Sequence, residues 1–272
     1  MANYSPLRYP GGKGKMLGVI KKIINDNDLT NSVYIEPFAG GGNLALNLLF
    51  EGIVKEIRLN DYDLAIYAVW YAILNHNDEF IALIRDTPVT VEEWNNQKRV
   101  YQEETENLLQ LGFATFYLNR TNRSGIITAC PIGGFDQTGN YGIDCRFNKD
   151  NLIQRVSKIY AYRKKIKIFN YDAIEFFKRR FPYKSLFFID PPYYNKGALL
   201  YKNSFVHQDH VNISKSIYKL NYNWIVTYDN TEEIIDIYED STIYDYELTY
   251  SVETKRKGKE ILIASSNLNI DF

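Results

Sequence analysis

The sequence predicts an α/β fold in which a Rossmann-like, mostly parallel sheet is interrupted by an inserted, mainly helical lobe. Short apolar runs alternate with helical periodicity in residues 1–63 and again in residues 150–272. Between them, residues 64–149 show helical spacing and then a segment rich in Gly and Asn, without a convincing strand. We therefore expect one sheet domain formed by residues 1–63 and 150–272, and a separate lobe formed by residues 64–149.

The elements follow in order along the chain. The first strand, Val33–Glu36, ends in a glycine cluster and precedes a helix at Asn43–Phe50. Helical spacing then runs from residue 64 to about 111, and residues 119–148 form the Gly- and Asn-rich segment. Further strands are predicted at residues 55–60, 166–169, 186–189 and 224–228, further helices near 150–163, at 172–179 and from 231, and a closing β-hairpin at 241–250 and 260–266.

Composition narrows the class of protein. Hydrophobic residues make up 45% of the 272 residues, and the longest apolar runs are far too short to span a membrane. The N-terminus lacks the apolar core of a signal peptide, and only Cys130 and Cys145 carry thiols. We therefore expect a cytoplasmic protein that does not bind membranes.

Charge is distributed unevenly. The net charge is −1, but residues 115–185 contain 14 Lys and Arg against 5 Asp and Glu, which gives +9 there and leaves −10 for the rest of the chain. This asymmetry predicts either a basic surface that binds nucleic acid or a set of solvated helix faces. Charge alone does not decide between the two.

The strongest motif follows an apolar strand, where Asp190, Pro191, Pro192 and Tyr193 stand in sequence. Ligands bind at the carboxyl ends of parallel strands, and the prolines end the strand in a restricted conformation. An aromatic amine is a poor nucleophile, so methylating it requires acceptors for its N–H bonds. Asp190 and a backbone carbonyl can supply them, and Tyr193 can stack on a base or lie near a cation. The alternatives are a peptide ligand of the Pro-Pro-x-Tyr type and a simple turn.

A second motif spans Glu36, Pro37, Phe38 and the glycines that begin at Gly40. Glycine lets the backbone approach a ligand closely, and the following helix N-terminus favours a carboxylate. Asp61 closes the next strand, where an acidic side chain can bind ribose hydroxyls. These features predict a nucleoside cofactor, with a purely structural glycine turn as the alternative.

A third motif, at Tyr9, Gly12 and Lys13, is also rich in glycine. It lacks the spacing of a P-loop, because Met16 stands where that motif needs a hydroxyl residue. Lys13 could instead hold a carboxylate of the cofactor.

Together these motifs resemble the Dam-like family of DNA adenine methyltransferases, which place the cofactor motifs first, a target-recognition lobe next and Asp-Pro-Pro-Tyr last. The resemblance also includes residues 116–120, 203–205 and 255–257. It implies transfer of a methyl group from S-adenosylmethionine to the N6 amine of a flipped adenine in a specific site of duplex DNA. It further implies that residues 1–63 and 150–272 bind this cofactor and that residues 64–149 read the target.

The resemblance implies a set of site residues. Asp190, Pro191, Pro192 and Tyr193 are expected to be catalytic. The expected cofactor residues are Tyr9, Gly12, Lys13, Glu36, Pro37, Phe38, Gly40, Asp61, Asp172 and Asp190. Asp172 could equally be a helix N-cap. The expected DNA-binding residues are Arg120, Asn122, Arg123, Gln137, Arg146, Lys255, Arg256 and Lys257.

At residues 121–126 and 133–142 the lobe differs from the relatives that read the DNA sequence GATC, so the target sequence is not predicted. Each candidate DNA-binding residue in the lobe could instead be an ordinary loop or core residue. His207 and His210 are too few for a metal site, and we expect no metal. We expect a monomer. One competing hypothesis is methylation of RNA adenine or of a protein glutamine, and the embedded lobe argues against it. The other is DNA binding without catalysis, and the intact Asp190 argues against that.

Overall fold

The computed structural model describes residues 2–8, 13–103, 106–195, 205–252 and 254–271, without the side chains of residues 14, 15 and 246–259. Seven strands form one sheet in the order β3-β2-β1-β4-β5-β7-β6. The strands are β1 (Val33–Glu36), β2 (Glu56–Asn60), β3 (Ile166–Phe169), β4 (Ser185–Ile189), β5 (Asn223–Asp229), β6 (Thr242–Val252) and β7 (Thr254–Ala264). β1 to β5 are parallel, and β7 pairs antiparallel with both β5 and β6. The predicted Rossmann-like sheet is confirmed.

Helices connect the strands and fill the inserted segment. They are α1 (Leu17–Asp26), α2 (Asn43–Phe50), α3 (Leu64–Asn75), α4 (Asn77–Asp86), α5 (Val91–Gln102), α6 (Leu108–Thr121), α7 (Lys149–Ala161), α8 (Ala173–Phe177), α9 (His207–Ile217) and α10 (Glu232–Ile237). Short 3₁₀ turns occupy Lys13–Met16, Arg123–Gly125 and Arg163–Lys165.

The central strands are apolar because both of their faces are covered. β1 and β4 are buried at every residue, as expected for parallel strands with helices on both sides. Alternate side chains serve opposite faces: Tyr34 stacks on Phe188 at a ring separation of 6.2 Å in one core cluster, whereas Ile35 and Phe187 belong to the other. The strand order reverses between β1 and β4, and such a reversal opens a crevice at the carboxyl ends of the strands.

The inserted segment packs closely on the sheet domain. One hydrophobic cluster runs from the sheet through Trp70 on α3 to Phe116 on α6. α3 and α6 approach so closely that a Cβ on Gly112 would lie 2.3 Å from the carbonyl oxygen of Ala68. Glycine is therefore required at this helix crossing. The domain boundaries at residues 63 and 150 stay a prediction.

Two expected elements differ in the structure. α6 extends to Thr121, so the first residues of the Gly- and Asn-rich segment are helical. The residues from Leu111 to Thr121 are all buried, which is why this part of the segment packs as a helix. The predicted hairpin forms, but its pairing continues up to Val252 opposite Thr254. Residues 255–257 therefore lie within β7 and not in a turn between the two strands.

Candidate active site

Asp190 directly follows β4 and lies at the carboxyl edge of the sheet, where the sequence places it. Its Oδ1 accepts a hydrogen bond from Thr227 Oγ1 at 2.7 Å and lies 3.3 Å from Lys13 Nζ. These contacts hold Oδ1, and the side chain as a whole is 22% exposed. Burial raises the pKa of Asp190, while Lys13 and the Thr227 hydrogen bond oppose this rise.

The turn after Asp190 is held by a carboxylate from the next strand. Asp229, the last residue of β5, accepts hydrogen bonds from the backbone N–H of Tyr194 at 2.9 Å and of Asn195 at 3.1 Å. Pro191 is buried and Pro192 is half-buried, and neither has an N–H to contribute. Asp229 therefore sets the path of this turn, a role that no motif in the sequence reveals.

Lys13 connects the N-terminal segment to this site. Its Nζ lies within hydrogen-bonding distance of the Tyr193 hydroxyl and donates to Glu260 Oε2 at 3.1 Å, in addition to its contact with Asp190. The Tyr193 hydroxyl in turn donates to Glu260 Oε1 at 2.6 Å. Lys13 is 6% exposed and Glu260 is 2% exposed. The structure thus unites two predicted site residues with Asp190 and adds Glu260, which the sequence analysis missed.

The glycine turn after β1 lies beside this group. Gly40 and Gly42 have φ values of +46° and +56°, which favour glycine. The N–H of Gly40 donates to Asp61 Oδ2 at 2.8 Å, and its carbonyl accepts from Trp70 Nε1 at 3.0 Å. A Cβ on Gly42 would lie 2.9 Å from the Trp70 ring. The turn is buried, and these contacts with Asp61 and Trp70 fix its shape.

Asp61 follows β2, two strands away from β4, as its position in the sequence predicts. Besides Gly40, it accepts the backbone N–H of Asp63 at 3.0 Å through Oδ1, and the residue is only partly exposed. Burial raises the pKa of Asp61 to about 7, although both hydrogen bonds act against the rise. Asn60, just before it, bonds to the carbonyl of Pro37 at 2.9 Å and so joins the two strand ends.

Glu36 is the last residue of β1 and is 5% exposed. Its Oε1 is buried and has no hydrogen-bond partner within the described part of the chain. Burial raises the pKa of Glu36 to about 8, and the nearby Asp190 carboxylate contributes to the rise, while the Ala45 backbone and the Tyr34 side chain oppose it. A buried, unpartnered carboxyl oxygen fits an incoming cation or N–H donor. Phe38 is half-buried and packs edge-on against Phe205 at 6.1 Å.

Other predicted cofactor residues have different positions. Asp172 caps α8, since its Oδ1 accepts the N–H groups of Ile174 at 2.9 Å and Glu175 at 3.3 Å. The alternative role as an N-cap is thus the one that the structure displays. Tyr9 and Gly12 lie outside the described residues, so their placement stays a prediction.

Three predicted DNA-binding residues serve the interior of the lobe. Arg120, which is 8% exposed, donates from Nε and Nη2 to the carbonyl of Arg146 at 2.9 and 2.7 Å. Asn122 is fully buried and accepts from Trp94 Nε1 at 2.6 Å. Gln137 donates to the carbonyl of Gly134 and accepts the N–H of Ile143, which closes the loop around it. We therefore remove Arg120 and Asn122 from the direct DNA contacts, because their polar groups are used inside the protein.

The remaining DNA-binding candidates are distributed over two surfaces. Arg123 and Arg146 are exposed on the loops that follow α6. Phe135 and Tyr141, on the same loops, are 55% and 68% exposed. Lys255, Arg256 and Lys257 lie on β7, and their side chains fall outside the described part of the structure.

Four arginines meet where the lobe joins the N-terminal segment. Arg8 Nη1 donates to the Asn122 carbonyl at 2.9 Å, and Arg155 Nη1 donates to the Ser5 carbonyl at 3.0 Å. Burial, followed by the charges of Arg155, Arg8 and Arg146, lowers the pKa of Arg120 to about 9. Within the described residues, none of the four guanidinium groups forms a salt bridge. Like charges are therefore held together without compensating carboxylates.

His207 and His210 are too few for a metal site, and in the structure His210 has a hydrogen-bond partner within the protein instead. His210 is buried and shares a hydrogen bond of 2.9 Å with the Tyr228 hydroxyl. Among the residues that the structure describes, no group of His, Cys, Asp and Glu side chains has the arrangement of a metal site. No helix in the described ranges is both long enough and apolar enough to cross a membrane.

Comparison with known proteins places this geometry in context. The family model for D12 class N6 adenine-specific DNA methyltransferases matches residues 9–252. A Type II methyltransferase, M.MjaIII of Methanocaldococcus jannaschii, is 25% identical over 205 residues, which cover 69% of this chain and 68% of that protein.

Solved structures give lower similarities. TrmK of M. capricolum, in complex with S-adenosyl-homocysteine, aligns with a TM-score of 0.39 and 8% sequence identity. The alignment covers 92% of this chain and 68% of the TrmK chain. A dimethyladenosine transferase from Plasmodium falciparum aligns with a TM-score of 0.37 and 12% sequence identity. The alignment covers 95% of this chain and 62% of the transferase chain. The assignment of the fold class rests on the strand order and on the family match.

Proposed function

Because the chain belongs to the D12 class N6 adenine-specific DNA methyltransferases, we propose that it methylates an adenine flipped out of a specific duplex sequence, with Asp190 as the acceptor for the reacting amine. The observation that carries this proposal is the partly exposed Asp190 carboxylate beside the buried, unpartnered Glu36 oxygen. Both lie at the carboxyl edge of the sheet, where the strand order reverses.

The residues around the glycine turn fit S-adenosylmethionine. Its ammonium group would satisfy the unpartnered oxygen of Glu36, and Asp61 at the end of β2 would accept a ribose hydroxyl. Phe38 offers an apolar surface beside them, and Asp61 and Trp70 hold the positive-φ turn at Gly40 in a fixed shape next to it. When bound, this cofactor supplies an electrophilic methyl group on a sulfonium centre.

The protein's contribution to the chemistry is mainly positioning. The lone pair of the adenine N6 is delocalised into the ring, so the amine attacks well only when acceptors draw its hydrogens out of the ring plane. Asp190 can accept one hydrogen, while Thr227 and Lys13 hold its Oδ1 in place. The backbone carbonyl of a motif proline can accept the other. The amine loses its extra proton after methylation has made it acidic, so Asp190 is needed chiefly as an acceptor.

Duplex DNA would bind across the loops that follow α6. The exposed Arg123 and Arg146 can reach phosphates or base edges, and the exposed rings of Phe135 and Tyr141 can stack on bases. Arg120 would support this surface from below, since it fixes the backbone of Arg146. A polyanion would relieve the repulsion among the clustered arginines.

The relative in M. jannaschii is a Type II methyltransferase. By analogy, we propose that this chain acts in restriction–modification as a monomer in the cytoplasm, where Cys130 and Cys145 remain free thiols.

The proposal is tested with cofactor carrying a labelled methyl group, offered in parallel to duplex DNA, to RNA and to protein. Label in N6-methyladenine of the DNA alone is the expected result. Mapping modified adenines in the genome of an expressing cell would reveal the target sequence. Label in RNA or protein, or on a base other than adenine, would contradict the proposal.

A further inference from the structure

Glu260 lies on β7, far along the sequence from the motifs that contain Lys13 and Asp190. Its backbone pairs with Asp229 on β5 and with Tyr246 on β6. The residue is 2% exposed, and both of its carboxylate oxygens point to the group around Asp190. Burying a carboxylate costs free energy unless it is paired and hydrogen-bonded, so its position calls for an explanation.

Two carboxylates share one ammonium group at this place. Lys13 Nζ lies 3.3 Å from Asp190 Oδ1 and 3.1 Å from Glu260 Oε2. If Glu260 were absent, Lys13 could pair fully with Asp190, which would weaken Asp190 as an acceptor for another donor. With Glu260 present, the lysine is drawn toward β7 and its positive charge is divided between the two carboxylates.

Glu260 also fixes an aromatic ring. Tyr193, three residues after Asp190, donates its hydroxyl to Glu260 Oε1 at 2.6 Å. Tyr193 also contacts Lys13 Nζ through the same hydroxyl. The hydroxyl is thus tied at the end of the side chain, and the orientation of the ring next to Asp190 is set by a residue on a different strand.

We propose that Glu260 is a positioning residue for methyl transfer, which acts through Lys13 and Tyr193 to keep Asp190 available as an acceptor. This inference rests on the role proposed for Asp190. The same contacts could in principle serve the folding of the sheet edge alone, and that alternative makes different predictions. A purely structural Glu260 would affect the stability of the protein without coupling to Tyr193 in the rate of the chemical step.

The first test is Glu260→Gln, which keeps the shape of the side chain and removes its charge. We expect kcat to fall about 10- to 100-fold, the change expected for losing a hydrogen bond to a charged group, with the Kd values for duplex DNA and cofactor within about threefold. Asp245→Asn is the matched control, because Asp245 is an exposed acid on the same hairpin; it should keep the wild-type kcat.

The second test is a double-mutant cycle with Tyr193→Phe. If Glu260 acts through the tyrosine hydroxyl, the two substitutions together should lower kcat by much less than the product of their separate effects. Independent, multiplicative effects would overturn the inference, as would a wild-type kcat in Glu260→Gln. If Glu260→Gln does not fold, the inference still requires Tyr193→Phe to lower kcat at unchanged Tm, and an unchanged kcat overturns it.

The pH profile gives a third readout. Burial raises the pKa of Asp190 and Glu260 raises it further, while Lys13 and Thr227 lower it. Glu36 also lies close to Asp190 but is unchanged in the variant. In Glu260→Gln, the acidic limb of the kcat/KM profile should therefore move to lower pH. A limb that stays in place would contradict the inference.

The outcome for Asp190→Asn separates the two proposals. If Asp190→Asn retains wild-type methyl transfer, the proposed role of Asp190 is wrong, and the role of Glu260 falls with it. If Asp190→Asn is inactive while Glu260→Gln retains the wild-type rate, only the inference about Glu260 is wrong.

Discussion

Replacement of Glu36 by Gln should change how the stability of the cofactor-free protein depends on pH. Glu36 is buried at the end of β1, and its pKa is raised from an ordinary value of 4.5 to about 8. Between these values the unfolded chain has released the proton and the folded chain retains it. The free energy of unfolding therefore falls as the pH rises from the lower value to the higher, and the loss is complete above the folded-state pKa.

The magnitude follows from the same shift. One pKa unit corresponds to about 1.4 kcal/mol, so the Glu36 contribution should decline by about 2 kcal/mol between pH 6 and pH 8. For a chain of this size, that corresponds to a change in Tm of roughly 4–8 °C. Glu36→Gln cannot titrate, so this decline should be absent from the variant, while the effects of Asp61 and other groups remain in both proteins.

The assay is chemical denaturation at a series of pH values from 5 to 9, without cofactor. The difference in free energy of unfolding between Glu36→Gln and the wild type should shift in favour of the variant as the pH rises. Glu233→Gln, an exposed glutamate in the first turn of α10, is the matched control and should follow the wild type. Parallel pH curves for the wild type and Glu36→Gln would refute the argument about burial.

Gly42→Ala should destabilise the protein by about 1–3 kcal/mol and weaken cofactor binding, because the new Cβ meets the Trp70 ring at 2.9 Å and the backbone has positive φ; thermal denaturation and cofactor titration check this. Thr227→Val should lower kcat by about tenfold with little change in DNA affinity, because Asp190 loses its 2.7 Å hydrogen bond. Steady-state kinetics measures this effect, and an unchanged kcat would contradict the prediction. Arg146→Gln should weaken DNA binding and reduce the slope of log affinity against log salt by about 1, whereas Arg85→Gln on α4 should not; equal slopes for all three proteins would exclude a phosphate contact by Arg146.

Local patterns in the sequence were enough to predict the sheet. The strands at Val33–Glu36 and Ile166–Phe169 and the helix Asn43–Phe50 have the predicted bounds, because each combines a strong apolar pattern with a clear end signal. α6 was predicted to end too early. Its last residues include Asn119 and Arg120, polar residues that are typical of loops, but here they are buried and bonded within the fold.

The candidate site was predictable where its residues lie in motifs. Asp190 and Glu36 lie close together because they stand at the ends of the neighbouring parallel strands β4 and β1, and Asp61 follows the next strand. Lys13 reaches Asp190 from the N-terminal segment. Glu260 was not predictable, because it stands 247 residues after Lys13 and looks like an ordinary residue at the start of a strand. Its partners are defined by strand order, which a motif does not contain.

The same limit applies to the lobe. The donors of Arg120 and Asn122 suit DNA, and residue type together with the family resemblance predicted them as DNA contacts. The direction of a side chain depends on the packing around it: both residues point inward, where backbone carbonyls use their donors. Arg123 and Arg146 carry the same donors but lie on the surface.

Single-turnover methylation of a duplex carrying the mapped target tests whether the Asp190 carboxylate accepts the hydrogens of the reacting adenine amine. Wild type and Asp190→Asn are compared at saturating cofactor and enzyme. We expect N6-methyladenine as the wild-type product and a rate constant for the variant at least about 100-fold lower, with DNA and cofactor affinities nearly unchanged. A variant that transfers the methyl group at close to the wild-type rate would contradict this role of Asp190.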